Sequence, residues 1–272
     1  MLLFHLINYI WHTAVSNMQF EIQEEGEYKW VEQGEGEVIF LLHGLFGALS
    51  NFADTIHHFS HQYKVVIPIL PLYRLELERT SVTGMVDHVD NFIQLRGYKG
   101  LHLIGNSLGG HIGLLYTLLR QENVRSLTLT ASSGLFENSL GDNYPRKSDY
   151  EYIKRKTAET FYDPNLATKE LVDEVYDIVN TREKALRTIF IAKSALRHNL
   201  RDELAKIQVP CNLIWGANDT ITPPFVGEEF HKLLPNSQLT ILDKCCHAPM
   251  MEVPAAFNAQ MDKFLAGLAH KK

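Results

Sequence analysis

The sequence predicts an α/β protein, a mostly parallel twisted sheet of about eight strands flanked by helices, with an inserted helical lobe. Three observations predict it. Short apolar runs recur along the chain and read as strands buried on both faces. Helical apolar patterns separate most of these runs. The alternation then breaks once, between residues 135 and 205, a stretch far longer than an ordinary connection.

Each element has its own signal. Residues 18–33 alternate apolar and polar side chains and read as an amphipathic hairpin at a sheet edge. The buried strand runs are VIFLLHG (38–44), KVVIPIL (64–70), LHLIG (101–105), SLTLTAS (126–132), CNLIWG (211–216) and SQLTIL (237–242). Residues 49–61 are compatible with a helix. In 83–96, Met85, Val89, Phe92 and Ile93 share one helical face; in 109–120, Ile112, Leu115 and Leu119 do. In 254–268, Phe257, Met261, Phe264, Leu265 and Leu268 line up in the same way. The long interruption contains three helix-like segments and no strand. The expected organisation is therefore a sheet core from residues 1–134 and 206–272, a helical lobe from 135–205, and an N-terminal extension from 1–17.

Composition narrows the function classes. The chain has 272 residues, 45% of them hydrophobic, enough for one large core or a core with a smaller lobe. Its net charge is -6 and no long basic stretch occurs, so a nucleic-acid partner is not expected. The lobe carries nearly equal numbers of acidic and basic residues, which argues against a general anion collector. The 3 cysteines, Cys211, Cys245 and Cys246, make an odd count with two sequence neighbours. That suits a disulfide framework badly and points to a reducing, cytoplasmic compartment. The first residues, MLLFHLINYIWHTAV, are apolar but lack Lys and Arg, are interrupted by His5, Asn8 and His12, and are too short to span a bilayer. Stable membrane insertion is not expected. A signal peptide over residues 1–16 and a start at Met18 remain open alternatives.

The chemistry centres on LIGNSLGG (103–110). A strand runs into Gly105-Asn106-Ser107-Leu108-Gly109-Gly110 and a helix follows. Glycines two before and two after Ser107 permit close backbone approach, so the serine would sit exposed on a strained turn, a nucleophile elbow. The plain alternative is a glycine-rich connection with an incidental serine. A serine hydroxyl needs a base, and the base needs an orienting group. Asp219 follows one strand run and His247 follows the last. The other position for the acid, after SLTLTAS, offers no carboxylate until Glu137, so Asp219 is preferred. Cys245 and Cys246 beside His247 lack metal-ligand spacing and read as packing residues.

Four motifs together, FLLHGLFG (40–47), GNSLGG (105–110), GANDTITPP (216–224) and CCHAPMMEVPAAFN (245–258), resemble the α/β-hydrolase superfamily. The resemblance covers residues 20–270, and the lobe is similar to the family's cap insertion. It implies that Ser107 attacks, that His247 serves as general base and then acid, and that Asp219 orients the imidazole. It further implies an oxyanion hole from the backbone N–H groups of Leu45 and Leu108, each contributing roughly 3 kcal/mol of barrier reduction. His43 and Gly44 would brace that loop. No cofactor and no metal are implied.

The expected partner is a small-molecule substrate. A serine at the elbow argues against the family's dehalogenases and epoxide hydrolases, which carry aspartate there. A small carboxylic ester, processed through an acyl-enzyme, is the leading expectation. Asn106 beside the serine also resembles the elbow of carbon–carbon bond hydrolases acting on meta-cleavage products. HGLFGAL is poorer in Gly and Pro than their oxyanion loop, and Ala248 stands where they usually have Trp. A non-catalytic ligand-binding member is the reading from a different class, and the presence of all three triad residues weighs against it. Phe46, Asn106 and Phe136 are the expected pocket residues. A few of Tyr144, Tyr150, Tyr152, Phe161, Tyr162, Leu186, Ile189 and Phe190 in the lobe should join them.

Overall fold

The computed structural model describes residues 20–47, 49–138 and 147–269. Expectations about residues 1–17 and Tyr144 lie outside the described residues.

Eight strands form one sheet. They are β1 (Ile22–Glu25), β2 (Tyr28–Gln33), β3 (Val38–Leu42), β4 (Lys64–Pro68), β5 (Leu101–Asn106), β6 (Val124–Thr130), β7 (Cys211–Gly216) and β8 (Ser237–Leu242). Their order is β1-β2-β4-β3-β5-β6-β7-β8. The hairpin β1–β2 turns at Gly26, which has φ 60°, and β2 runs antiparallel to β4. From β4 onward every neighbouring pair is parallel. The parallel strands are apolar on both sides because helices cover both faces. In β3, Phe40 and Leu42 point into one core layer while Ile39 and Leu41 point into the other.

Helices α1 (Ala53–Phe59), α2 (Val82–Arg96) and α3 (Leu108–Leu119) follow β3, β4 and β5. Met85, Val89, Phe92 and Ile93 of α2 enter one layer as a single stripe. Ser81 caps that helix by accepting from the Gly84 N–H, and Gly97 ends it at φ 66°. In α3, Leu119 is exposed instead of buried with Ile112. Between β6 and β7 lie α4 (Tyr150–Ala158), α5 (Lys169–Asn180) and α6 (Arg182–Arg197). Next come α7 (Pro224–Leu233), α8 (Pro249–Glu252) and α9 (Pro254–Ala269). The α9 stripe of Phe257, Met261, Phe264 and Leu265 packs in the second layer with Ile56 and Phe59 of α1.

Sequence reading overlooked α7. Pro223-Pro224 looks like loop punctuation, yet proline is well suited to the first helical turn, where its missing N–H has no intrahelical partner. Among the described residues no helix is long and apolar enough to cross a membrane.

Candidate active site

Ser107 sits between β5 and α3 at φ 53° and ψ -119°. This left-handed conformation costs a non-glycine residue energy and persists only when its surroundings impose it. They do so here. A β-carbon on Gly105 would lie 2.4 Å from the Gly109 carbonyl oxygen, and one on Gly109 would lie 2.0 Å from that of Leu42. One on Gly110 would lie 2.3 Å from Ser132 Oγ. Only glycine allows β5, β3 and α3 to converge so closely. The Ser107 N–H donates to the Thr130 carbonyl at 3.1 Å, and its own carbonyl accepts from the His111 and Ser133 N–H groups.

Asp219 and His247 come from the loops after β7 and β8. Those loops are tied together by backbone. The Asn218 N–H donates to the Cys245 carbonyl at 2.9 Å, and the Cys246 thiol donates to the Asn218 carbonyl at 3.1 Å. Gly216 permits this, since a β-carbon there would lie 2.0 Å from the Cys246 carbonyl oxygen. The result is a buried pair, with His247 Nδ1 2.9 Å from Asp219 Oδ2. Asp219 Oδ1 accepts from the Ile221 and Thr222 N–H groups, and Oδ2 accepts from the Thr222 hydroxyl at 2.8 Å.

Burial by itself would raise the Asp219 carboxyl. The adjacent His247 and the Thr222 hydrogen bonds outweigh it and hold Asp219 below the usual carboxylate range. For His247, burial works downward and the Asp219 charge overrides it, so the imidazole is held above its ordinary value. An imidazole whose Nδ1–H is engaged by a carboxylate offers Nε2 as a base. Ser107 and His247 line one cavity of about 380 Å³. No hydrogen bond joins them in this conformation, a spacing common before substrate tightens a site.

Two residues that line the cavity, Leu45 and Leu108, have backbone N–H groups without an acceptor among the described residues. The Leu108 N–H opens α3, where the first donors of a helix have no internal partner. The Leu45 loop is braced by His43. The Leu70 N–H donates to His43 Nε2 at 3.2 Å, which leaves the proton on Nδ1 to donate to the Gly44 carbonyl at 2.9 Å. Burial pushes the His43 pKa down and keeps the ring neutral, as that tautomer requires. Gly44 packs against the elbow, with space for a β-carbon only 3.3 Å from Ser107 Cβ.

Other expected residues fall into different places. Asn106 borders the cavity, but its side-chain amide is buried and donates to the carbonyls of His247 and Thr130. It ties the elbow to the His247 loop and has no donor left for substrate. Phe46 lines the cavity and packs on Tyr152, Ile153 and Val175. Phe136 lies outside it, on an adjoining cleft, half exposed with its ring 5.4 Å from that of Phe225. Of the lobe residues expected at the pocket, Phe161 lines it, while Tyr162, Leu186, Ile189 and Phe190 are exposed and do not line it. The wall is built instead by Leu171 and Val175 of α5 and by Ile191 and Ala195 of α6. Both pairs are four residues apart on one helix face, a spacing visible in the sequence but shared with ordinary packing stripes.

Glu252 is a residue the sequence did not single out. Its carboxylate accepts from the backbone N–H groups of Cys246, Ala248 and Tyr162 at 2.7–3.1 Å. It thereby clamps the His247 loop from both sides and joins it to the segment after α4. Cys245 and Cys246 are buried and free. Burial pushes both thiols up, Cys246 to about 11, so they remain protonated packing groups. Among the described residues no three His, Cys, Asp or Glu side chains come together as a metal site.

Residues 37–170 match the family model described as the alpha/beta hydrolase fold. A solved alpha/beta hydrolase enzyme from the metagenome of sediments of the Mar Chica lagoon, Morocco, is 41% identical. That match covers 91% of this chain and 98% of the other, with a TM-score of 0.76. The chain belongs to the α/β-hydrolase family. It is also 25% identical over 305 residues to a monoacylglycerol lipase of Xenopus laevis, covering 99% of this chain and 90% of that one. A 2-hydroxy-6-oxononadienedioate/2-hydroxy-6-oxononatrienedioate hydrolase of Pseudomonas putida is 25% identical over 286 residues, covering 93% and 98%.

Proposed function

We propose that the protein hydrolyses a small carboxylic ester through a covalent acyl-enzyme, with Ser107, His247 and Asp219 as its catalytic triad. The observation that carries this reading is one cavity shared by the strained Ser107 and by His247, whose Nδ1 is bonded to Asp219 at 2.9 Å. His247 Nε2 takes the hydroxyl proton as Ser107 Oγ attacks the ester carbonyl carbon. The developing oxyanion is met by the Leu45 and Leu108 N–H groups. The C–O bond to the alcohol breaks as His247 returns the proton to the leaving oxygen. Water, deprotonated by the same nitrogen, then cleaves the acyl-enzyme and releases the acid. The helical segment between β6 and β7 acts as a lobe that roofs the pocket and sorts acyl chains.

Carbon–carbon bond hydrolysis is the second reading, supported by the similarity to the Pseudomonas putida enzyme. The name of that enzyme specifies a doubly acidic substrate. Apart from His247, Lys156 is the one cationic side chain among the described residues lining this cavity, and it is paired with Glu159 at 2.6 Å. An unbalanced dianion would meet no free positive charge there, so the ester ranks first.

The deciding experiment runs esters of graded acyl length and one dienoate on wild type and Ser107→Ala together. Wild type should turn over a short or medium acyl ester. Ser107→Ala should lower kcat on the order of 10⁴-fold or more while remaining folded. A serine-directed phosphonate should label wild type once, at Ser107. Labelling elsewhere, or turnover of the dienoate alone, rejects the ester reading.

A further inference from the structure

Glu137 stands apart from the proposed machinery, although it lines the same cavity as Ser107 and His247. Its carboxyl is half-buried and makes no hydrogen bond or ion pair among the described residues. The other carboxylate at the cavity, Glu159, is satisfied by Lys156. Burial pushes the Glu137 carboxyl up, while the nearby His247 ring draws it down, so the two groups are within electrostatic reach. Glu137 also borders the adjoining cleft of about 270 Å³, together with Gly134, Leu135 and Asn199. A carboxyl withdrawn from water without a partner is costly, and a ligand donor that reaches it recovers that loss.

The reaction direction fixes which part of a substrate would reach it. His247 must hand its proton to the leaving oxygen, so the alcohol portion lies on the His247 side. Glu137 lines the same cavity within electrostatic reach of His247, so it stands near that portion. Resting on the ester reading, we infer that Glu137 is a specificity-determining residue that recognises a hydroxyl or cationic group on the alcohol portion of the substrate. The preferred substrates are then esters of polyols or amino alcohols, favoured over alkyl esters of the same shape. A methyl group in that position leaves the carboxyl unpaired, so discrimination comes from rejecting the isostere as much as from binding the donor.

The test compares two isosteric pairs. One is 3-hydroxypropyl butyrate against butyl butyrate, and the other is choline butyrate against 3,3-dimethylbutyl butyrate. Each is measured as a ratio of kcat/KM on wild type, Glu137→Gln and Glu137→Leu, with melting temperatures to show that the variants fold. Wild type should favour the polar member of at least one pair by about tenfold or more. A preference in the first pair assigns a hydroxyl, and one in the second assigns a cation. Glu137→Leu should bring the ratio to about one or below. Glu137→Gln should keep part of a hydroxyl preference, because its amide oxygen still accepts, and should lose a cation preference. If wild type hydrolyses these esters with ratios that neither substitution moves, the role of Glu137 is overturned while the ester reading stands. If wild type hydrolyses none of them, nor any ester of the acyl series, the ester reading falls and this inference with it.

Discussion

A neutral imidazole can accept the Ser107 proton and a protonated one cannot. His247 is held above its ordinary value of 6.5 because the Asp219 charge outweighs burial. The sign of the pH dependence follows. kcat/KM should fall as pH drops through the raised His247 value, so the acid limb of the profile should lie above pH 6.5. Asp219→Asn removes the charge and leaves burial to act downward. That limb should therefore move to lower pH, while kcat falls on the order of 10⁴-fold from loss of the orienting carboxylate. An acid limb below 6.5 in wild type, or one that does not move in the variant, would contradict this account. Stability responds differently. The raised His247 contributes stability at pH below its ordinary value, and that contribution is lost as pH rises through the folded value. The lowered Asp219 contributes above its ordinary value of 3.8 and loses that contribution on acidification.

At the scale of elements, the elbow depends on how closely β3, β5 and α3 approach one another. Gly109→Ala places a β-carbon 2.0 Å from the Leu42 carbonyl oxygen, a fixed backbone atom. The elements must then separate, at a cost of about 2–3 kcal/mol in stability. Denaturant midpoints should register that loss, and activity should drop with it because the Leu108 N–H moves as well. The helices α5 and α6 act on selectivity instead. Val175→Phe should fill cavity space and shift the acyl-length optimum toward shorter chains, and Ile191→Ala should shift it toward longer ones. Both residues are buried at the cavity wall. An unchanged chain-length profile in both variants would make the lobe a cover only.

Across the whole molecule, two apolar layers enclose one sheet, and the loops that carry Ser107, Asp219 and His247 all emerge at the carboxyl ends of its parallel strands. In an open parallel sheet, that end is where loops from neighbouring strands can converge on a ligand. The first described contacts of the chain come from Phe20 and Ile22, which pack against the second layer. A chain started at Met18 retains both residues and all eight described strands. It should therefore fold and turn over ester at close to the full-length rate, as measured by circular dichroism and steady-state kinetics. An insoluble or inactive product would assign residues 1–17 a role in the core or in assembly.

The parallel sheet was legible in the sequence because strands buried on both faces leave continuous apolar runs, as in VIFLLHG and CNLIWG. The elbow was legible because Gly105 and Gly109 flank Ser107 at a spacing set by local backbone geometry. Asp219 and His247 could be nominated from their places after strand runs. Their pairing, however, depends on hydrogen bonds between two loops that are distant in sequence. Asn106 shows the same division. Its neighbour Ser107 suggested substrate contact, whereas the fold commits its amide to the His247 carbonyl 141 residues away. Helical periodicity in the lobe located its helices but could not say which apolar face meets the cavity, since an internal stripe and a pocket wall share one period. Glu252 carried no sequence signal, and Glu137 entered only as the carboxylate set aside in favour of Asp219. What each carboxylate does follows from which backbone donors, or which empty space, the tertiary structure sets in front of it, and local sequence does not encode that.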